Sequence, residues 1–140
     1  MVKNKKQKGS DAERELIHAF WKAGWAAVRV AGSGSMKYPS PDIVASNALR
    51  RLAIECKAVG EDKKYLTQQE IEQLTEFAQK FGAEPWLGVR FDNENWYFFS
   101  LDDLRSTKGN NYALDLLLAK QKGLLFEEVL GIFKQEKLKL

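Results

Sequence analysis

Two short runs rich in β-branched and other apolar residues, PDIVAS at 41–46 and RRLAIECKAV at 50–59, are joined by Asn47-Ala48-Leu49-Arg50. An antiparallel hairpin is the economical fold for such a stretch. Side chains alternate along a strand, so Ile54 and Cys56 share one face while Glu55 and Lys57 share the other. Cys56 therefore points into a core. The opposite face carries two charges in a strand that is otherwise apolar, and Asp42, following Pro41, begins the partner strand. Burying such charges uncompensated costs several kcal/mol or more each. Either that face is solvated, or something such as a divalent cation compensates it.

The remaining elements follow from periodicity. Residues 10–23 place Leu16, Ile17, Phe20 and Trp21 on one helical stripe, with Ser10 and Glu13 in capping-box spacing and Gly24 as a stop. WAAVRVAG (25–32) reads as a strand running into a glycine/serine loop that ends near Ser40. After a polar connector at 60–65, Thr67 and Glu70 form a second capping box. They open a helix carrying Ile71, Leu74, Phe77, Ala78 and Phe81, closed by Gly82. PWLGVRF (85–91) and NWYFFSL (95–101) are strands around the turn Asp92-Asn93-Glu94, with the aromatic run Trp96 to Phe99 read as core. Residues 105–111 read as loop, ALDLLLAK (113–120) as a short helix and LLFEEVLGIF (124–133) as another.

The expected order is α-β-β-β-α-β-β-α. The fold class is α/β (α+β), with a central mixed β-sheet flanked by helices. At 140 residues the chain has the size of one domain. We expect a flexible basic N-terminal arm over residues 1–8, carrying Lys3, Lys5, Lys6 and Lys8, and a single domain over 9–140. One cysteine and one histidine exclude an internal disulfide and a zinc site. No apolar run reaches the ~18 residues of a membrane helix, and the basic start leads into no apolar segment, so a cytoplasmic location is expected. The net charge of +3 is too small to argue for a nucleic-acid partner by itself.

Asp42, Glu55 and Lys57 are the residues that can do chemistry. Carboxylate oxygens are the ligands Mg²⁺ takes, and an ion held by two or three of them keeps positions for water and a phosphate oxygen. Lys57 then orients the nucleophile or meets developing negative charge, which together suit phosphodiester hydrolysis. The plain alternative is a solvated Glu55–Lys57 pair worth ~0–1 kcal/mol, with Asp42 an ordinary turn residue. Glu13 has two readings as well. It is the capping-box glutamate facing Ser10, or, because Leu16, Ile17 and Phe20 follow at helical spacing, a carboxylate aimed inward to complete the set.

Lys8-Gly9-Ser10 followed by Glu13-Arg14-Glu15, Val28-Arg29 ahead of the glycine/serine loop, Pro41-Asp42, Ile54-Glu55-Cys56-Lys57, and the run EFAQKFG at 76–82 together resemble the archaeal Holliday junction resolvases. These are PD-(D/E)xK nucleases with a restriction-endonuclease-like core. The resemblance spans about residues 8–100, and the order and spacing of these segments are far more specific than the ExK pattern alone. It implies Mg²⁺, with Mn²⁺ able to take its place, held by Glu13, Asp42 and Glu55. It further implies Lys57 stabilising the transition state, Ser33 as an active-site residue with Ser35 as its alternative, and Arg14 and Arg29 binding DNA phosphate or shaping the site.

A two-fold homodimer is implied too, with Phe77 and Phe81 at the interface, although phenylalanines at helical spacing also suit a monomer core. The implied partner is four-way junction DNA, resolved by paired symmetric cuts, on a basic surface made of Lys3, Lys5, Lys6, Lys8, Arg14, Arg29 and Lys37. No membrane contact is expected, and the sequence carries no reading for a sliding clamp or helicase. Two rivals stand beside this expectation: a related endonuclease of duplex DNA, and a non-catalytic dimeric junction-binding module.

Overall fold

The computed structural model describes residues 5–31, 37–60, 63–106 and 111–131. The expected hairpin is the centre of a five-stranded mixed sheet. Helix α1 (Lys5–Lys22) leads into β1 (Ala26–Arg29), and β2 (Ile43–Ser46) and β3 (Arg51–Val59) follow. Then come β4 (Lys63–Thr67), α2 (Gln68–Phe81), β5 (Glu84–Phe91) and β6 (Trp96–Phe99). A 3₁₀ turn (Leu101–Asp103), β7 (Arg105–Ser106), β8 (Asn111–Asp115), α3 (Leu116–Lys122) and α4 (Phe126–Val129) complete the order. The large sheet runs β1-β2-β3-β5-β6, and β4-β8-β7 form a second, smaller one. Only β3 and β5 pair in parallel within the large sheet, so the chain crosses over through β4 and α2 between them.

Strand alternation sorts the core into two faces. Ile54 and Leu52 join Leu16 and Phe20 of α1, with Ile43, Trp96 and Phe98, and Cys56 packs against this cluster as expected. Ala53 points the other way, onto Leu74 and Ala78 of α2. Further along the sheet, Val59, Leu87, Val89 and Phe99 meet Leu66 of β4, Leu114 of β8 and Leu118 of α3. Trp96, Tyr97, Phe98 and Phe99 are all buried, as their reading as core requires.

Helix α2 is delimited as its sequence dictates. Thr67 accepts from the Glu70 backbone while Glu70 accepts from the Thr67 backbone, and Gly82 ends the helix at φ 76, a conformation that suits glycine.

Several expectations need correction. The basic segment is not a free arm through residue 8, because α1 already begins at Lys5. Lysine and glutamine are good helix formers, each added residue contributes a bond to a helix already nucleated, and the Lys8 ammonium is held by Asp92 at 2.8 Å. Lys3 lies outside the described residues. Ser10 is consequently inside α1 rather than its cap, and its hydroxyl accepts instead from Arg29 at 2.9 Å. Finally, the connector at 60–65 and the stretch from 105 hold strands. KKYLT and NYALD pair across 44 or more residues of chain, a long-range partnership that local patterning does not report. Within ALDLLLAK, Asp115 caps α3 by accepting from the Leu118 backbone, so the first part is strand and the second helix. In the run 124–133 the described helix is confined to Phe126–Val129.

Candidate active site

Asp42 lies immediately before β2. The β2–β3 register, with Ile43 opposite Ile54, puts it opposite Glu55 when continued by one residue. Two backbone bonds fix it there, Asp42 N–H to Ile54 O at 3.0 Å and Val30 N–H to Asp42 O at 2.8 Å. One carboxylate oxygen accepts from the Cys56 N–H at 2.7 Å, and the side chain hydrogen-bonds Glu55.

Glu55 pays for this crowding in proton affinity. Burial pushes its carboxyl up to about 8, and the adjacent Asp42 charge adds to the effect while Lys57 opposes it. Two touching carboxylates on a mostly buried face repel each other, and a cation between them removes that repulsion.

Glu13 turns inward, which decides between its two readings. Its side chain is only 16% exposed and accepts from Arg29 Nε at 2.7 Å. Burial raises its carboxyl above the ordinary range, the Arg29 bond lowers it in part, and the charge of Asp42 raises it again. Glu13 is thus within electrostatic reach of Asp42, with Arg29 holding its oxygen. Among the described residues no three Asp, Glu, His or Cys side chains already converge as a finished metal cage. Two carboxylates touch and the third is held by an arginine. Hard oxygen donors of this kind nonetheless fit a divalent cation of the Mg²⁺ type, which keeps several waters and needs few protein ligands.

Lys57 shares its face with Glu55, and its ammonium meets Glu70 Oε2 at 2.5 Å. Glu70, which the sequence marks only as a helix cap, is thus a second partner of the site. Its carboxylate is partly buried, which by itself raises proton affinity, yet the bonds from Lys57 and the Thr67 backbone outweigh burial and keep it low and ionised. The second capping box marks Glu70 as a helix cap, and its contact with Lys57 follows from where α2 packs on β3.

The other expected residues are spread around this centre. Arg29 approaches the acidic set through Glu13 and Ser10. Arg14 is exposed, 3.6 Å from Asp11. Lys6 is exposed, and Lys37 is exposed beside the Tyr38 ring. Ser33 and Ser35 lie outside the described residues. Phe77 and Phe81 stack with ring centroids 5.0 Å apart; Phe77 packs toward the α2 core while Phe81 stays 50% exposed. Phe81 lies between two shallow surface pockets, one lined also by Tyr38, Pro39 and Phe77, the other by Ala26, Val28 and Val44.

Most of the chain matches known proteins in sequence and in fold. A family model described as archaeal Holliday junction resolvase (Hjc) matches residues 4–138. Crossover junction endodeoxyribonuclease Hjc of Archaeoglobus fulgidus is 43% identical over 132 residues, covering 90% of this chain and 97% of that protein. Its namesake from Methanocaldococcus jannaschii is 36% identical over 137 residues, covering 98% of this chain and 97% of that protein. The solved structure of A. fulgidus Hjc, described as a Holliday junction resolvase from an archaeal hyperthermophile, superposes with a TM-score of 0.81 at 43% identity. That match covers 88% of this chain and 98% of the other.

Proposed function

The chain belongs to the archaeal Holliday junction resolvase family and is a crossover junction endonuclease, and from that premise we propose how its residues cut a four-way junction. Asp42 and Glu55, with Glu13, hold a divalent cation, Mg²⁺ in the first instance with Mn²⁺ able to replace it. The observation that carries this reading is the β2–β3 register, which sets Asp42 opposite Glu55 on the strand that also bears Lys57. When bound, the cation lowers the pKa of its water and neutralises charge on the scissile phosphate.

The protein's own groups supply the rest. The backbone N–H of Cys56 and the short β2–β3 register keep Asp42 in place, so its oxygens need little reorganisation. Arg29 holds Glu13 toward the centre. Lys57 brings a positive charge to the oxygen on which negative charge develops. Ser33, or Ser35 in its stead, adds a hydroxyl from the glycine/serine loop.

Resolution requires two strands cut at symmetric positions, whereas one chain of this size offers one such site. A two-fold homodimer presents two equivalent sites in the required relation. The half-exposed Phe81, stacked on Phe77, is the apolar patch on which it closes. Lys3, Lys5, Lys6, Lys8, Arg14, Arg29 and Lys37 form the phosphate-binding surface, so selectivity arises from where the junction puts its phosphates rather than from base reading. From α1 onward the chain acts as one nuclease domain. No helix among the described residues is long and apolar enough to cross a membrane, and we place the enzyme with its DNA in the cytoplasm.

The test is cleavage of an immobile four-way junction beside a matched linear duplex, in Mg²⁺, Mn²⁺ or EDTA. Metal-dependent cutting of the junction, undiminished by excess unlabelled duplex, is the expected result. Equal cutting of the duplex would make this a general nuclease, and tight binding without cutting would make it a binding module.

A further inference from the structure

We infer that Glu70 is a positioning residue for strand cleavage, its carboxylate fixing the Lys57 ammonium on the face of β3 that bears Glu55. The inference rests on the reading of Lys57 as the charge that meets the phosphate. Lysine is a compact charge on a four-carbon stem, and unaided it samples many rotamers. Here the stem is restrained at its far end: the side chain is 16% exposed and its nitrogen meets Glu70 Oε2 at 2.5 Å.

The carboxylate is itself pinned from the other side. Glu70 Oε1 accepts from the Thr67 N–H at 3.0 Å and from the Thr67 hydroxyl at 3.2 Å, so each oxygen has its own duty. One caps the helix and the other holds the lysine.

The position of that cap is set far from the ion-binding carboxylates. Thr67 ends β4, which pairs with β8 in the small sheet, and Thr67 lies opposite Asn111 in the register. One residue further, Tyr112 Oη donates to Gln68 Oε1 at 2.9 Å. Leu66 is buried against Leu114 and Leu118 between them. The small sheet therefore fixes the first turn of α2, the first turn fixes Glu70, and Glu70 fixes Lys57. This gives the C-terminal strands a task in the reaction although they contribute no group to it.

Glu70→Gln separates the two duties, because glutamine also serves at the third position of a capping box while carrying no charge. Single-turnover junction cleavage at saturating Mg²⁺ should fall about 10–100-fold, the range expected for misplacing a catalytic group. Junction affinity in EDTA and the half-saturating Mg²⁺ concentration should stay within about twofold of the parent, the scale of an interaction made only in the transition state. A cleavage rate within twofold of the parent would overturn the inference. So would an equal loss of junction affinity, or a several-fold rise in half-saturating Mg²⁺, which would make Glu70 a ligand instead.

A measurement on the parent guards against a variant that folds poorly. With ¹⁵N-labelled lysine, one ammonium signal should be protected from exchange with water and disappear in Lys57→Arg; absence of a protected ammonium would refute the pairing. A parent chain that cuts no junction would refute the resolvase mechanism itself, a distinct outcome from these.

Discussion

Glu55→Gln should change the pH dependence of stability more than it changes stability at any one pH. In the metal-free fold the Glu55 carboxyl sits at about 8, raised by burial and by Asp42, against an ordinary value of 4.5. The folded state therefore holds a proton that the unfolded chain has released. A raised acid contributes its stability in full below the unfolded value and loses it as pH climbs through the folded one. Between pH 5.5 and 8 the slope approaches 1.4 kcal/mol per pH unit, so the metal-free protein should lose about 3 kcal/mol over that interval. Glu13, also raised, acts in the same direction. Urea denaturation in EDTA at several pH values measures this directly. The parent should weaken as pH rises, Glu55→Gln should flatten most of the decline, and saturating Mg²⁺ should abolish it by favouring the ionised pair. A parent whose stability in EDTA is constant or rises from pH 5.5 to 8 would refute the claim that these carboxylates crowd each other.

Further outcomes follow from the surface and the core. On the proposed homodimer, Phe81→Glu should raise the dissociation constant about tenfold or more, as loss of an apolar anchor does, read by sedimentation across a concentration series, while a thermal scan should show the melting temperature of the monomer barely moving because the ring is half exposed. Leu74→Ala, by contrast, removes a buried side chain between α2 and β3 and should cost about 2–5 kcal/mol in denaturant titration. Junction affinity in EDTA should fall by about 0.9 log units per log unit of salt for each phosphate neutralised. Charge removal at Lys6 or Arg14 should make that slope shallower, and an unchanged slope would take those residues off the binding surface.

The central hairpin was legible because its signal is local. Alternation in IECK assigned two faces without any knowledge of neighbours, and the register then brought Asp42 to Glu55. The second capping box was equally local, and its helix begins where Thr67 and Glu70 put it. The first box misled for a related reason. Ser10 has the right residue type and spacing, but Lys5 to Lys8 extend the helix past it, and its hydroxyl turns to Arg29 from β1. What Ser10 bonds was decided by tertiary packing.

The small sheet was missed because KKYLT and NYALD are short and partly charged. Their stability as strands comes from pairing over a long sequence distance and from Leu66 and Leu114 meeting in the core. That omission hid the role of Glu70 as well. Its identity as a cap was readable, whereas its contact with Lys57 depends on where the small sheet delivers the helix. The inward turn of Glu13 was open in the sequence and resolved by packing. Leu16 and Phe20 are fully buried on the same helical stripe, and Glu13 follows that stripe to Arg29.

The role proposed for Asp42 is in cleavage and not in junction binding. Asp42→Asn keeps the shape of the side chain and removes its charge, so the parent and the variant should be compared on an immobile four-way junction, with binding measured in EDTA and cutting in Mg²⁺. Paired symmetric nicks by the parent, none by the variant, and junction affinity in the variant equal to or tighter than the parent's are the expected results. A variant that still cuts at a comparable rate, or one that loses binding as completely as cutting, would contradict that role.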